Sequence, residues 1–182
     1  TFFPKLPKNK IEAIKNMNPG NHEKLFLRFS KIFWNPDVYV FQYSADNNRG
    51  LFTQWYNVLY PAKGEKILYT NLSGPDIIYA SKTNDELKDI AMNILRKMFK
   101  NVPEPEEVYM TRWSLDPYTM GGPYSNPKMK ATMKNFDIIG RQVKNIHFAG
   151  VDTSSTVTET VEAALLSGIR ASNEILQIVD IN

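Results

Sequence analysis

Apolar residues in this chain repeat with two different periods, and the switch between them limits the folds open to it. Between residues 25 and 72 the period is two. Leu25, Leu27 and Phe29 alternate with Phe26 and Arg28, and Val38 to Tyr43, Leu51 to Leu59 and Ile67 to Leu72 are further runs rich in aromatic and aliphatic residues. Turn formers bound them at Pro19-Gly20-Asn21, Asp46-Asn47-Asn48-Arg49-Gly50, Gly64 and Gly74-Pro75. Because strand side chains alternate between faces, these four runs predict an antiparallel or mixed sheet. From residue 83 the period becomes helical. Thr83-Asn84-Asp85-Glu86 spells a capping box, and Leu87, Ile90, Ala91, Ile94, Leu95, Met98 and Phe99 form one stripe. That predicts a helix from Asp85 to Phe99, ended by Pro103 and Pro105.

Weaker signals flank this block. Ile11, Ile14 and Met17 recur at helical spacing within Lys8 to Met17, and Val108 to Trp113 reads as a further strand. Residues 114 to 134 show little periodicity, with Asp116-Pro117, Gly121-Gly122-Pro123 and Asn126-Pro127 marking a long irregular segment. Ile146-His147-Phe148-Ala149-Gly150 reads as a short buried strand. Thr156 with Glu159 is placed to cap a helix whose apolar face is Val161, Ala164, Leu165, Gly168, Ala171 and Ile175.

Composition removes several function classes. A chain of 182 residues suits one domain or one and a half. Lys and Arg number 22 against 19 Asp and Glu, and a net charge of +3 is too small to imply nucleic acid or an anionic membrane. There are no cysteines, which excludes a disulfide scaffold, a thiolate metal site, a Cys nucleophile and a cysteinyl-linked cofactor. His22 and His147 alone do not make a His-rich zinc site. No apolar run approaches the roughly 18 residues of a membrane span, and there is no Walker motif, no G-x-G-x-x-G and no triad spacing.

The strongest chemical signal is the order strand, Gly150, Thr/Ser-rich turn, helix N-terminus. Backbone N–H groups and the positive helix end can cradle an anion or a carbonyl there, although a purely structural connection reads equally well. Asp152 in that turn is either a capping carboxylate or an acceptor for a sugar-like hydroxyl. Trp113, Tyr118 and Tyr124 flank the irregular segment and favour core closure over substrate contact; Trp34 is a packing residue, and Trp55 fits either role.

Four ordered stretches together resemble the flavin-dependent amine oxidases, the family of monoamine oxidases, polyamine oxidases and flavin-dependent histone lysine demethylases. Ile146-His147-Phe148-Ala149-Gly150-Val151-Asp152-Thr153 is similar to its C-terminal FAD signature, F-A-G-x-E/D-T. Thr160 to Ala171, TVEAALLSGIRA, resembles the T-V-x-G-A-L-L-S-G-x-R-A helix, with Ala163 in place of Gly. Arg112-Trp113-Ser114-Leu115-Asp116-Pro117-Tyr118 resembles R-W-x-x-D-P-F/Y/W, and Pro4-Lys5-Leu6-Pro7 through Phe33-Trp34-Asn35-Pro36 resembles the P-x-L-P…F-W-x-P stretch.

The resemblance implies an α/β fold: an α+β substrate domain with a mixed sheet, plus the last strand and helix of a Rossmann-like FAD-binding domain, incomplete on its own. Residues 1–113 would belong to the substrate domain, 114–143 would pass the flavin, and 144–182 would return to the FAD domain. It implies FAD contacts from Trp113, Gly150, Asp152, Thr160 and Val161, and a substrate site lined by Trp55, Tyr124 and Thr160. Asp152 stands where Glu is commoner, which shortens its reach. Pro123 stands where monoamine oxidases carry the flavin-linked Cys, so the FAD is expected to be non-covalent. Thr160 replaces their second cage tyrosine, which turns the resemblance toward polyamine oxidases or histone demethylases, with small-amine oxidation ahead of histone demethylation. No residue here is expected to act as general acid or base, and no metal is expected.

The implied reaction oxidises an amine to an imine, with O₂ reduced to H₂O₂. The implied partners are an N-terminal FAD-binding half of the same enzyme, a small amine and O₂. The start at Thr1-Phe2-Phe3-Pro4, without the dinucleotide fingerprint or the family's active-site lysine, is expected for the C-terminal half of such an enzyme. Two alternatives remain: an L-amino-acid oxidase chain, and a non-catalytic binding or scaffold module on the same fold.

Overall fold

The computed structural model describes residues 2–17, 19–44, 52–61, 64–73, 81–119, 121–125, 131–156 and 160–179. In chain order its elements are α1 (Lys8–Asn16), β1 (Pro19–Gly20), β2 (His22–Arg28), β3 (Val40–Gln42), β4 (Gln54–Asn57), β5 (Ile67–Ser73), α2 (Asn84–Met98), β6 (Glu107–Met110), a 3₁₀ turn (Trp113–Leu115), β7 (Gly122–Ser125), α3 (Met133–Gly140), a second 3₁₀ turn (Val151–Thr153) and α4 (Val161–Val179). They form two units, residues 21–122 and residues 1–20 with 123–182.

The 21–122 unit is a five-stranded sheet in the order β3-β4-β5-β2-β6. Every described pairing is antiparallel, with β2 at the centre of the longest ladder, His22↔Ser73 through Arg28↔Ile67. The period-two pattern sorts its faces: Leu25, Leu27, Leu68, Leu72, Trp55 and Met110 are buried inward against Leu87, Ala91, Met92, Ile94 and Leu95 of α2. Each fully buried Leu contributes about 1.5–3 kcal/mol relative to exposure. Phe33 makes edge-on contacts with Phe29, Trp34 and Phe99 at 4.8, 4.8 and 5.6 Å and closes one end of this core.

The capping box forms as expected. The Thr83 hydroxyl accepts the Glu86 N–H at 3.2 Å, and the Glu86 carboxylate accepts the Thr83 N–H at 2.8 Å. Strands β3 and β4 are shorter than their apolar runs, and at one end of their ladder the Asn57 side chain takes over from backbone pairing. Its buried amide donates to the Pro36 and Val38 carbonyls at 3.0 and 2.9 Å and accepts the Leu59 N–H at 3.1 Å. The expected turns at Asp46–Gly50 and Gly74-Pro75 lie outside the described residues. Strand β6 stops at Met110, short of the expected Trp113, which opens a 3₁₀ turn.

The other unit departs further from the periodicity. In α1 the buried residues are Lys10 and Ala13, while Ile14 of the expected face is 42% exposed. Helix α3 was not expected; Thr132 and Asn135 cap it reciprocally, and Phe136 is buried. In α4 the expected apolar face is not the buried one. Of that face only Ala171 is buried, beside Ala163 and Ser167, whereas Val161, Ala164, Leu165, Gly168 and Ile175 are exposed. The physical reason is that α4 packs within this unit through small residues and the polar Ser167, Arg170 and Glu174, while its large apolar side chains have no covering element among the described residues.

Candidate functional site

The segment read as a strand at 146–150 is not one. Only Ile146 makes a ladder contact, an isolated bridge to Val143. With no neighbouring strand among the described residues, its backbone groups are taken by side chains of α4. The Ser167 hydroxyl accepts the Gly150 N–H at 2.8 Å and donates to the Ala164 carbonyl at 2.7 Å. Arg170 donates to the Phe148 carbonyl at 2.7 Å and to the Thr153 hydroxyl at 3.2 Å. It also reaches the Gly140 carbonyl at 3.1 Å and the Glu174 carboxylate at 2.6 Å. Glu174 meets His147 Nδ1 at 2.9 Å. Burial raises the Glu174 carboxyl, but the hydrogen bonds from His147 and Arg170 outweigh it and hold its pKa below the usual range. Ser167, Arg170 and Glu174 sit at i, i+3 and i+7, so one helix face clamps the whole segment.

The turn itself is closed at Gly150. Its carbonyl accepts both the Thr153 N–H at 3.0 Å and the Thr153 hydroxyl at 2.7 Å. Gly150 has φ +135°, a value that strains any residue with a Cβ, yet a Cβ built there meets no atom within 4 Å. The backbone at the turn therefore stands open on one side. Asp152 is exposed within the 3₁₀ turn.

Helix α4 is capped by Thr160, not by the expected Thr156. The Thr160 hydroxyl accepts the Ala163 N–H at 3.1 Å, and its carbonyl accepts the Ala164 N–H at 3.2 Å. Glu159, the other half of the expected cap, lies outside the described residues. Val161 is 88% exposed at the helix start, where the macrodipole is positive. Tyr124 lies in β7, which pairs with β1; its side chain is outside the description.

The remaining two candidate residues lie in the 21–122 unit. Trp113 opens its 3₁₀ turn with its side chain about half exposed. Trp55 is fully buried in the core beside Phe52, opposite Thr70 on β5, and its indole N–H has no hydrogen-bond partner among the described residues. The structure thus gathers Gly150, Asp152, Thr160 and Val161 in one unit and Trp55 and Trp113 in the other.

Sequence reasoning missed several residues that hold these positions. Lys10 donates to the carbonyls of Ile138, Ile139 and Arg141 at 3.0, 2.7 and 2.5 Å, occupying the C-terminal end of α3. Glu23 is a carboxylate on the apolar face of β2, fully buried. Burial pushes it up, and hydrogen bonds from Ser114, Thr111 and Trp113 more than offset this, so its pKa is lowered. Its break in the alternation of β2 was a legible signal, as was the polar i, i+3, i+7 stripe on α4. On the outer face of the sheet, Phe26, Arg28, Ile67, Glu107 and Tyr109 line a mostly apolar hollow of about 310 Å³. Among the described residues no group of His, Cys, Asp or Glu could hold a metal ion, and no helix is long and apolar enough to cross a membrane.

This arrangement, an antiparallel sheet with one helix on its face and a glycine turn clamped to a C-terminal helix, has counterparts among known proteins. The chain belongs to the flavin-containing amine oxidoreductase family, whose model matches residues 1–176. It is 32% identical over 185 residues to lysine-specific histone demethylase 1 homolog 3 of Arabidopsis thaliana, covering 99% of this chain and 11% of that protein. It is 31% identical over 183 residues to human lysine-specific histone demethylase 2, covering 96% of this chain and 22% of that protein. Its fold is similar to that of cyclohexylamine oxidase from Brevibacterium oxydans, with TM-score 0.76 and 20% identity, covering 98% of this chain and 40% of that one. The chain therefore spans between a tenth and a quarter of the length of these sequence relatives.

Proposed function

We propose that this chain is the C-terminal portion of an FAD-dependent amine oxidase, with FAD held non-covalently and the rest of its cradle supplied by an N-terminal half of the same enzyme. The observation that carries the reading is the open Gly150 turn, held by Ser167 and Arg170 to a helix whose N-terminus presents Val161. The residues present suit the cofactor. A glycine at φ +135° with free space beside it lets a dinucleotide approach the backbone, and a positive helix end suits an electron-rich carbonyl. The exposed apolar residues of α4, Leu165, Leu166, Ile169 and Leu176, support a covering half from the same enzyme.

When bound, the flavin supplies the two-electron acceptor for the C–H bond beside an amine nitrogen, which leaves an imine, and passes its electrons to O₂ as H₂O₂. The chain's own residues bind and orient. The Val161 N–H would face the flavin C2 carbonyl, Asp152 the ribityl–pyrophosphate part, and Trp113 the ring system. Tyr124, Thr160 and Trp55 would contribute to the substrate site. Residues 1–113 then serve the substrate domain, 114–143 pass the cofactor, and 144–182 complete the cofactor domain. No proton-transfer role falls to any of them, so positioning is their contribution.

The substrate favoured by the incomplete tyrosine cage is a polyamine-like small amine. A second reading, N-methyl-lysine, is supported by the names of the relatives at 31–32% identity. The full-length polypeptide is expected to purify with a flavin absorption spectrum and to release peroxide with spermidine or spermine. Formaldehyde from an N-methyl-lysine peptide, without a polyamine response, would select the second reading. Absence of both flavin and amine-dependent peroxide would overturn both.

A further inference from the structure

Glu23 is an acid in an otherwise apolar row. It shares the inward face of β2 with Leu25 and Leu27 and is fully buried. Its carboxylate accepts four hydrogen bonds, all from neutral donors. Oε2 takes the Thr111 hydroxyl at 2.7 Å and the Trp113 N–H at 3.0 Å. Oε1 takes the Ser114 N–H and the Ser114 hydroxyl, both at 2.8 Å. Burying a carboxylate is costly, so four well-formed bonds on it are a strong constraint on whatever supplies them.

What supplies them is the start of the turn that carries Trp113. The other side of the same residue is held as well: the Trp113 carbonyl accepts the Thr119 hydroxyl at 3.0 Å and the Gly121 N–H at 3.1 Å. The Trp113 backbone is thus fixed at both its N–H and its carbonyl, while the side chain is 47% exposed. A turn alone does not need this. Asp116, three residues on, caps the following turn from the surface by accepting the Tyr118 and Thr119 N–H groups at 2.8 Å.

We propose that Glu23 is a positioning residue for Trp113, setting the direction in which its indole leaves the turn. The consequence for the cofactor rests on the reading above that Trp113 packs beside the flavin. Glu23→Gln keeps the shape but offers one acceptor oxygen, and its NH₂ group faces two of the four donors.

Two measurements on the full-length polypeptide separate the inference from the reading it rests on. The first is iodide quenching of the emission that Trp113→Phe removes; Trp34 and Trp55 are buried and are shielded from iodide. Glu23→Gln is expected to change the Trp113 quenching constant at least about twofold, with a cooperative unfolding transition retained. Unchanged quenching overturns the proposal. If Glu23→Gln does not fold, Ser114→Ala deletes one donor and is expected to shift quenching in the same direction; no shift there overturns it equally. The second measurement is the flavin absorption band. Where Trp113→Phe moves the band, Glu23→Gln and Trp113→Phe are expected to perturb it non-additively, the double variant matching Trp113→Phe, and additive effects there overturn the proposal. If Trp113→Phe leaves the flavin band unmoved while Glu23→Gln still changes Trp113 quenching, the placement of Trp113 beside the flavin fails and the role of Glu23 stands.

Discussion

The Lys10 ammonium lies 3.7 Å from the centroid of the Phe148 ring, while donating to three carbonyls at the end of α3. One cation therefore ties α1 to α3 and to the segment that leads into Gly150. Burial and the nearby Arg170 lower its pKa, and Glu174 pulls the other way. Lys10→Met keeps the aliphatic stem but removes the donors and the cation–π contact. Leaving buried carbonyls without partners costs about 1–3 kcal/mol each when water cannot replace the donor. A loss of about 3 kcal/mol is expected, read as a lower urea midpoint with an unchanged slope.

Gly140 is a position where a methyl group has nowhere to go. A Cβ there would stand 2.6 Å from the Thr153 carbonyl oxygen. Gly140→Ala is expected to destabilise by about 1–3 kcal/mol through overpacking. It should also disturb the 150–153 turn, so amide exchange at Thr153 should rise more than exchange in the β2–β5 ladder. Equal changes in both would refute the local account.

The Glu174 carboxyl has a folded pKa below its unfolded value. A group shifted this way contributes stability above the unfolded pKa and loses it as pH falls through the folded one. The stability difference between the wild type and Glu174→Gln is therefore expected to be full at pH 7. It should shrink as pH drops below the ordinary glutamate value of about 4.3. Urea unfolding at a series of pH values from 7 to about 3 checks this, and a pH-independent difference would contradict it.

Thr83 tests the sequence-legible cap of α2. Thr83→Ala removes the acceptor for the Glu86 N–H and is expected to cost about 1 kcal/mol. Because the two residues cap each other, adding Glu86→Ala should cost less than its effect in the wild type. Thermal unfolding of the four-member cycle measures the coupling.

Some of the fold could be read directly. The alternation in β2 and β5 and the box-plus-stripe of α2 are local records of which face is buried, and both held. The extents of β4 and β6 were less legible because side-chain hydrogen bonds at Asn57 and Trp113, not propensity, mark where they give way. Helix α3 went unread because Thr132-x-x-Asn135 lies beside a stretch with no period to continue. In the candidate site, Gly150, Asp152, Thr160 and Val161 were legible as a motif, whereas the sequence marked Ser167, Arg170 and Glu174 only as a polar stripe and not by what they hold.

The amino-acid order alone determined the family, the sheet's apolar face and the α2 helix, because each is encoded within a few neighbouring residues. Tertiary structure decided what Lys10, Glu23 and Arg170 do. Their partners lie up to 131 residues away in the chain, as Lys10 does from Arg141. A buried ion is stable only where distant backbone dipoles or counter-charges converge on it, and no local pattern records that convergence. The same reason explains α4: its spacing predicted an apolar face, but only the packed molecule shows Ser167, Arg170 and Glu174 making the contacts.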